Sequence, residues 1–129
     1  MPEHVEFIPF LQKEELEEEY RKAAMVVLPS RQECWGLVIN EAAAFGTPIV
    51  STWGSGAAVE FLKGDYPQYL ARPGEGEELL ACIKRLLEDQ EKGRYSAYLK
   101  EKGRRYCIEN CVAAHLALLD GSTDPQYLR

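Results

Sequence analysis

Residues Met25–Phe61 read MVVLPSRQECWGLVINEAAAFGTPIVSTWGSGAAVEF, and this stretch twice sets a short apolar run against a glycine-bearing turn and a helix start. Met25–Leu28 is apolar and rich in β-branched residues and stops at Pro29, the pattern of a short strand buried on both faces as in a parallel sheet. Ser30–Trp35 then forms the connecting loop. From Gly36 the run LVINEAAAF favours a helix to Phe45, and Gly46, Thr47 and Pro48 supply the stop. Pro48–Ser51 is expected as the next strand, Thr52–Gly56 as a small-residue turn and Ala57–Leu62 as a short helix that Ser55 can cap. The stretch is two consecutive βα units.

Within it Glu33 and Glu41 stand eight positions apart, one in the loop and one inside the helix. The first N–H groups of that helix, at Gly36, Leu37 and Val38, lack intrahelical partners and carry the positive end of its dipole, which suits a diphosphate. Gly36 allows close approach. At 1.5 Å per residue Glu41 lies roughly 6 to 8 Å from the anion position, within reach of a ribose diol. Glu33, on the other side of the phosphates, can accept hydrogen bonds from sugar hydroxyls. Taken alone, the two acids could equally be solvated surface residues.

The frame PSRQECWGLVINEAAAFGTPIVST resembles the signature PSxxEGFGLxxxEAxAxGxPVVAT of the retaining, GT-B fold glycosyltransferases of family 4. The resemblance implies that Glu33 faces the donor sugar as the catalytic carboxylate, that Glu41 holds the nucleotide ribose, and that backbone amides of Gly36, Leu37 and Val38 meet the diphosphate. It also makes Thr52, Gly54 and Ser55 candidate donor-pocket residues, against the plain alternative of a structural βα turn. Cys34 stands where the family has glycine. If that position requires a positive φ, a cysteine there costs about 1 kcal/mol. Trp35 for phenylalanine is a milder exchange.

The implied fold is α/β: a Rossmann-like three-layer domain with a short parallel sheet of about four strands, the C-terminal half of a GT-B fold lacking its first two strands. Residues 1–120 are expected to form a single domain and 121–129 a frayed tail. Val5–Phe10, VEFIPF, is the expected first strand. LQKEELEEEYRKAA then favours a helix with Leu16, Tyr20, Ala23 and Ala24 on one face and its acids early, matching the dipole. Its acidic run is a solvated face.

Tyr69–Ala71 is the last expected strand. Glu77–Leu87 follows as an amphipathic helix with Leu79, Leu80, Ile83, Leu86 and Leu87 inward, and Tyr95–Leu119 as one helix or two divided near Gly103.

At 129 residues, 46% apolar and 28% charged, the chain has the size and composition of one globular domain. Its formal charge of −6 argues against non-specific nucleic-acid binding and anionic membranes. No apolar run approaches the ~20 residues of a membrane span. Four cysteines without framework spacing suggest a reducing cytoplasm. Cys107, Cys111 and His115 fall on one helix face, but three ligands along a straight helix span too far for one zinc ion. A buried small-residue seam is the expectation there, Cys82 is expected in the core, and no metal or cofactor is expected.

The implied activity is transfer of a sugar from a UDP-, GDP- or ADP-sugar with retention and without a metal. The base-binding strands, a basic pair for the diphosphate and the acceptor-binding half are missing from the pattern. The chain alone is therefore expected to be inactive. Two repairs of the sheet are open: the Val5–Phe10 strand slides in beside Met25–Leu28, or a second copy or a companion glycosyltransferase subunit supplies neighbours, giving an oligomer. Two other functions remain: a non-catalytic nucleotide-sugar-binding or assembly module, and a small nucleotide-binding regulator with an unrelated ligand.

Overall fold

The computed structural model describes residues 3–121. The chain runs α1 (Lys13–Lys22), β1 (Val26–Leu28), α2 (Leu37–Phe45), β2 (Ile49–Thr52), α3 (Gly56–Leu62), a 3-10 turn (Pro67–Tyr69), β3 (Leu70–Ala71), α4 (Gly76–Glu88), α5 (Lys92–Arg104) and α6 (Ile108–Leu119). The three strands are parallel in the order β1-β2-β3. Val27 pairs with Val50, and Thr52 with Ala71. Every residue of β2 is buried, so helices cover both faces of the sheet, as all-parallel strands require.

The sheet has three strands where about four were expected. Val5–Phe10 makes no ladder and is exposed, Phe10 to 87%. β1 pairs only with β2, so the segment has not slid in beside it. A strand persists only where a neighbouring backbone completes its hydrogen bonds, and Pro9 removes one donor outright. Of the expected tail, 121–129, residues 122–129 lie outside the described residues.

Why the βα units hold is clear from their ends. Gly46, at φ +69°, closes α2 by donating to the Ala42 and Ala43 carbonyls, the left-handed helix stop that glycine adopts without strain. Ser55 caps α3 by accepting from the Ala58 N–H. The α2 face that meets the sheet is Ile39, Ala42 and Ala43, all fully buried. Gly103 brings α5 against this helix: a Cβ there would sit 3.4 Å from the Ala43 Cβ.

Below the sheet, Tyr66, Tyr69 and Tyr95 pack ring to ring, with centroids 4.3 Å apart for Tyr66 and Tyr95 and 4.9 Å for Tyr69 and Tyr95. The Tyr95 hydroxyl donates to the Ile49 carbonyl at 2.8 Å. The Tyr69 hydroxyl donates to Asp89, and that bond, with a second from the Glu91 N–H, holds the Asp89 carboxyl below its usual value.

Three helix faces differ from expectation. On α4 the inward residues are Leu79, Cys82, Ile83 and Leu86, while Leu80 and Leu87 are exposed. Cys82 is in the core as expected. On α1 only Tyr20 is buried, since it packs chiefly on α2 rather than on the sheet. The acidic face of α1 is solvated and its Glu18–Lys22 pair closes at 3.3 Å. The division after α5 comes at Arg105–Cys107, beyond Gly103.

No residue of α6 is buried, which overturns the expected Cys107, Cys111 and His115 seam. Cys111 is exposed, and His115 Nδ1 lies 2.7 Å from the Cys111 carbonyl oxygen. The smaller Ala113, Ala114 and Ala117 are half-buried, while Ile108, Val112, Leu116 and Leu119 face outward. Among the described residues no group of three or more His, Cys, Asp or Glu is placed to hold a metal ion. No described helix is long and apolar enough to cross a membrane.

Candidate functional site

The loop from Ser30 to Trp35 leaves the carboxyl end of β1 and lies along the β2–α3 turn. Glu33 donates its N–H to the Gly54 carbonyl at 2.8 Å, and Glu33 and Ser55 form an isolated parallel bridge. Thr52 is buried and donates its hydroxyl to the Ser30 carbonyl, while accepting from the Gly54 N–H. Gly54 passes so close to the loop that a Cβ would lie 2.4 Å from the Arg31 carbonyl oxygen. Ser55, fully buried, donates to the Trp35 carbonyl at 3.0 Å. These bonds commit the Thr52 and Ser55 side chains to fixing the loop.

At the head of α2, Gly36 has φ +96° and no side chain caps the helix. The N–H groups of Leu37 and Val38 therefore have no intrahelical partner and present a partial positive charge. A Cβ at Gly36 would meet Ser55 Oγ at 2.9 Å, Leu28 Cδ2 at 3.2 Å and Glu33 Cγ at 3.3 Å. Glu33 is thus packed against the helix head with its carboxylate end exposed. None of the described non-glycine residues has a positive φ, so Cys34 occupies its position without the left-handed strain that a glycine-only position would impose.

Glu41 lies one turn further, on the stripe Leu37, Val38, Glu41 and Ala44 that α2 turns to solvent. Its Oε2 accepts the Tyr20 hydroxyl at 2.6 Å. Burial first, and then the Glu41 carboxylate, push that hydroxyl far above the ordinary tyrosine value, so Tyr20 remains a donor at any physiological pH. The other oxygen, Oε1, has no hydrogen-bond partner among the described residues. Tyr20 is itself fixed by stacking on Phe45 at 5.8 Å.

Sequence reasoning missed three residues. Tyr20, which orients Glu41, is twenty-one positions away and pairs with it only through the α1–α2 packing. Trp35 is more than an aromatic filler: its indole N–H donates to Asn40 Oδ1 at 2.8 Å, and its carbonyl accepts from the Ala57 N–H. Arg31 lines a cavity of about 140 Å³ at the carboxyl ends of the strands, with Pro29, Thr52, Arg72 and Gly74. In that cavity Arg72 is already paired with Glu78. Arg31 has the only guanidinium there without such a partner among the described residues.

A parallel α/β unit whose strand ends lead into an uncapped helix head flanked by acids has the architecture of phosphate-binding domains. The family described as Glycosyl transferases group 1 matches residues 1–106, and the chain belongs to that family. A D-inositol 3-phosphate glycosyltransferase of Mycobacterium sp. (strain KMS) is 42% identical over 62 residues, 48% of this chain and 14% of that protein. Sulfoquinovosyl transferase SQD2 of Arabidopsis thaliana is 32% identical over 88 residues, 66% of this chain and 17% of that protein. The chain spans about a sixth or less of the length of these relatives. No solved structure matches.

Proposed function

We propose that this chain is the donor-binding half of a retaining, metal-independent glycosyltransferase of family 4 with the GT-B fold, acting in the cytoplasm. It takes a nucleotide-diphosphate sugar carrying UDP, GDP or ADP. The observation that carries this reading is the head of α2: two amides without intrahelical partners or a side-chain cap among the described residues, the Glu33 side chain packed beside them, and Glu41 one turn along.

In this reading the diphosphate lies on the Leu37 and Val38 amides. As the bond between the sugar and the diphosphate breaks, charge grows on the departing oxygen, and donors already in place stabilise it without reorganising. Glu33 positions the sugar through its hydroxyls. Glu41, steadied by Tyr20, receives the ribose diol on its free oxygen. Thr52, Gly54 and Ser55 border the donor and act mainly by fixing the loop.

A panel of UDP, GDP, ADP and their sugars, followed by ligand-observed NMR, tests this directly. At least one nucleotide is expected to bind, and Glu41→Ala to weaken it about tenfold or more, the worth of one charge-assisted hydrogen bond. Binding by none of them would refute the donor reading. A non-catalytic nucleotide-sugar-binding or assembly module is the second reading, since the chain spans only 14% and 17% of the length of its catalytic relatives. Turnover once an acceptor-binding partner is added decides between the two.

Residues 1–120 act in this reading as one domain that needs a partner, either a second copy or a companion glycosyltransferase subunit. Support comes from the open edge of β1 and from Phe7 and Phe10, which are 76% and 87% exposed beside no strand. Unpaired edges and apolar segments of this kind favour association. Light scattering at high concentration is expected to give at least a dimer; a clean monomer would count against it.

A further inference from the structure

The chain carries 21 acidic and 15 basic residues, yet one groove of about 310 Å³, between α2 and the end of α5, has no carboxylate in its lining. Lys100 and Arg104, one turn apart on α5, stand on one wall, with Asn40 of α2 opposite and Gly103 and Tyr106 between.

Each donor is available. Lys100 makes no ion pair among the described residues, and its stem lies against Gly46, where a Cβ would come within 2.7 Å of Lys100 Cε. That packing limits its rotamers and so lowers the entropy lost on binding. Among the described residues the Arg104 guanidinium pairs with Glu101, at 3.4 Å with both side chains mostly in water, a pairing of little energy. The orientation of Asn40 follows from chemistry: the Trp35 indole can only donate, so the atom it meets at 2.8 Å is the Asn40 oxygen. The Asn40 NH₂ is therefore left with its donors free among the described residues. The Tyr106 hydroxyl donates to Glu60, whose carboxylate does not itself line the groove.

We infer that this groove binds a small tetrahedral oxyanion, inorganic phosphate or the phosphate of a monoester, through Lys100, Arg104 and the Asn40 amide. The site is separate from the head of α2, and it stands whether or not the donor reading holds. Two cations and a neutral amide match the charge and the acceptor geometry of a phosphate group.

The test is a ¹H–¹⁵N titration of the full chain with inorganic phosphate, and separately with glycerol 3-phosphate, at an ionic strength held constant with potassium chloride. Saturable shifts are expected at the Asn40 side-chain amide, the Trp35 indole N–H and Gly103. Tighter binding of glycerol 3-phosphate would mark a monoester site, and equal binding a free-phosphate site; either supports the proposal.

Lys100→Met keeps the stem over Gly46 and Arg104→Gln keeps length and polarity. Each is expected to weaken binding about tenfold, as the loss of one charge-assisted hydrogen bond would. Asn40→Asp still accepts the indole but sets a carboxylate in the groove, and is expected to abolish binding. Lys84→Met, an exposed lysine on α4, should leave it unchanged. Three results would overturn the proposal: shifts that do not saturate, saturable shifts confined to Leu37 and Val38, or an equal loss in Lys84→Met.

Discussion

Replacing Tyr95 by alanine is expected to cost about 3–5 kcal/mol, as deletion of a large buried ring does. Tyr95 is fully buried, touches Tyr66 and Tyr69 through its ring, and bonds the Ile49 carbonyl at the start of β2 through its hydroxyl. One side chain thus joins α5, the turn before β3 and the central strand. Burial raises its hydroxyl pKa far above the tyrosine norm, so the group stays a neutral donor. With a total stability of roughly 5–15 kcal/mol for a domain of this kind, alanine would remove a large share of it.

Tyr95→Phe separates the two contributions. It keeps the ring and removes only the bond to Ile49, so its cost is expected to be about 1 kcal/mol. Urea denaturation followed by the fluorescence of Trp35 and Trp53 measures both. An alanine variant within about 1 kcal/mol of the natural chain, in the range of surface substitutions, would mean that α5 is not part of the cooperative core.

The βα units were legible because their signals are local. Pro29, Gly46 and Pro48 mark ends within a few residues, and the motif glutamates follow from the same frame. Val5–Phe10 shows where this fails: its composition favours a strand, but a strand also needs a neighbour, and the segment carries no information about which backbone lies beside it. The α6 seam failed for a related reason. Periodicity told that Cys107, Cys111 and His115 share a face, yet whether that face is inside depends on what packs there, and only the alanines of α6 turn inward. At the site, the position of Glu41 was readable, whereas its partner Tyr20 was not, because helix packing rather than spacing joins them. The family pattern puts strain at Cys34 only if its glycine needs a positive φ, and the left-handed residue is Gly36, two positions on.

Gly36 therefore carries the second large effect: Gly36→Ala is expected to destabilise the chain by about 2–4 kcal/mol, combining a left-handed backbone penalty with overpacking. Its φ of +96° lies where a Cβ is strained even in open space, and the space is not open. The nearest atom, Ser55 Oγ at 2.9 Å, cannot swing aside, because it donates to the Trp35 carbonyl and accepts from the Ala58 N–H. Relief must come from moving the loop or the head of α2, which are the parts proposed to hold the sugar and the diphosphate. Nucleotide-sugar affinity is expected to fall even at temperatures where the variant is fully folded. Gly93→Ala is the control: it sits in α5 with nothing within 4 Å of the added Cβ, so it is expected to stabilise by about 0.5–1 kcal/mol through helix propensity. If Gly36→Ala matches Gly93→Ala in denaturation midpoint, the close packing of Glu33 and Ser55 around the helix head is wrong, and the donor site built on it loses its foundation.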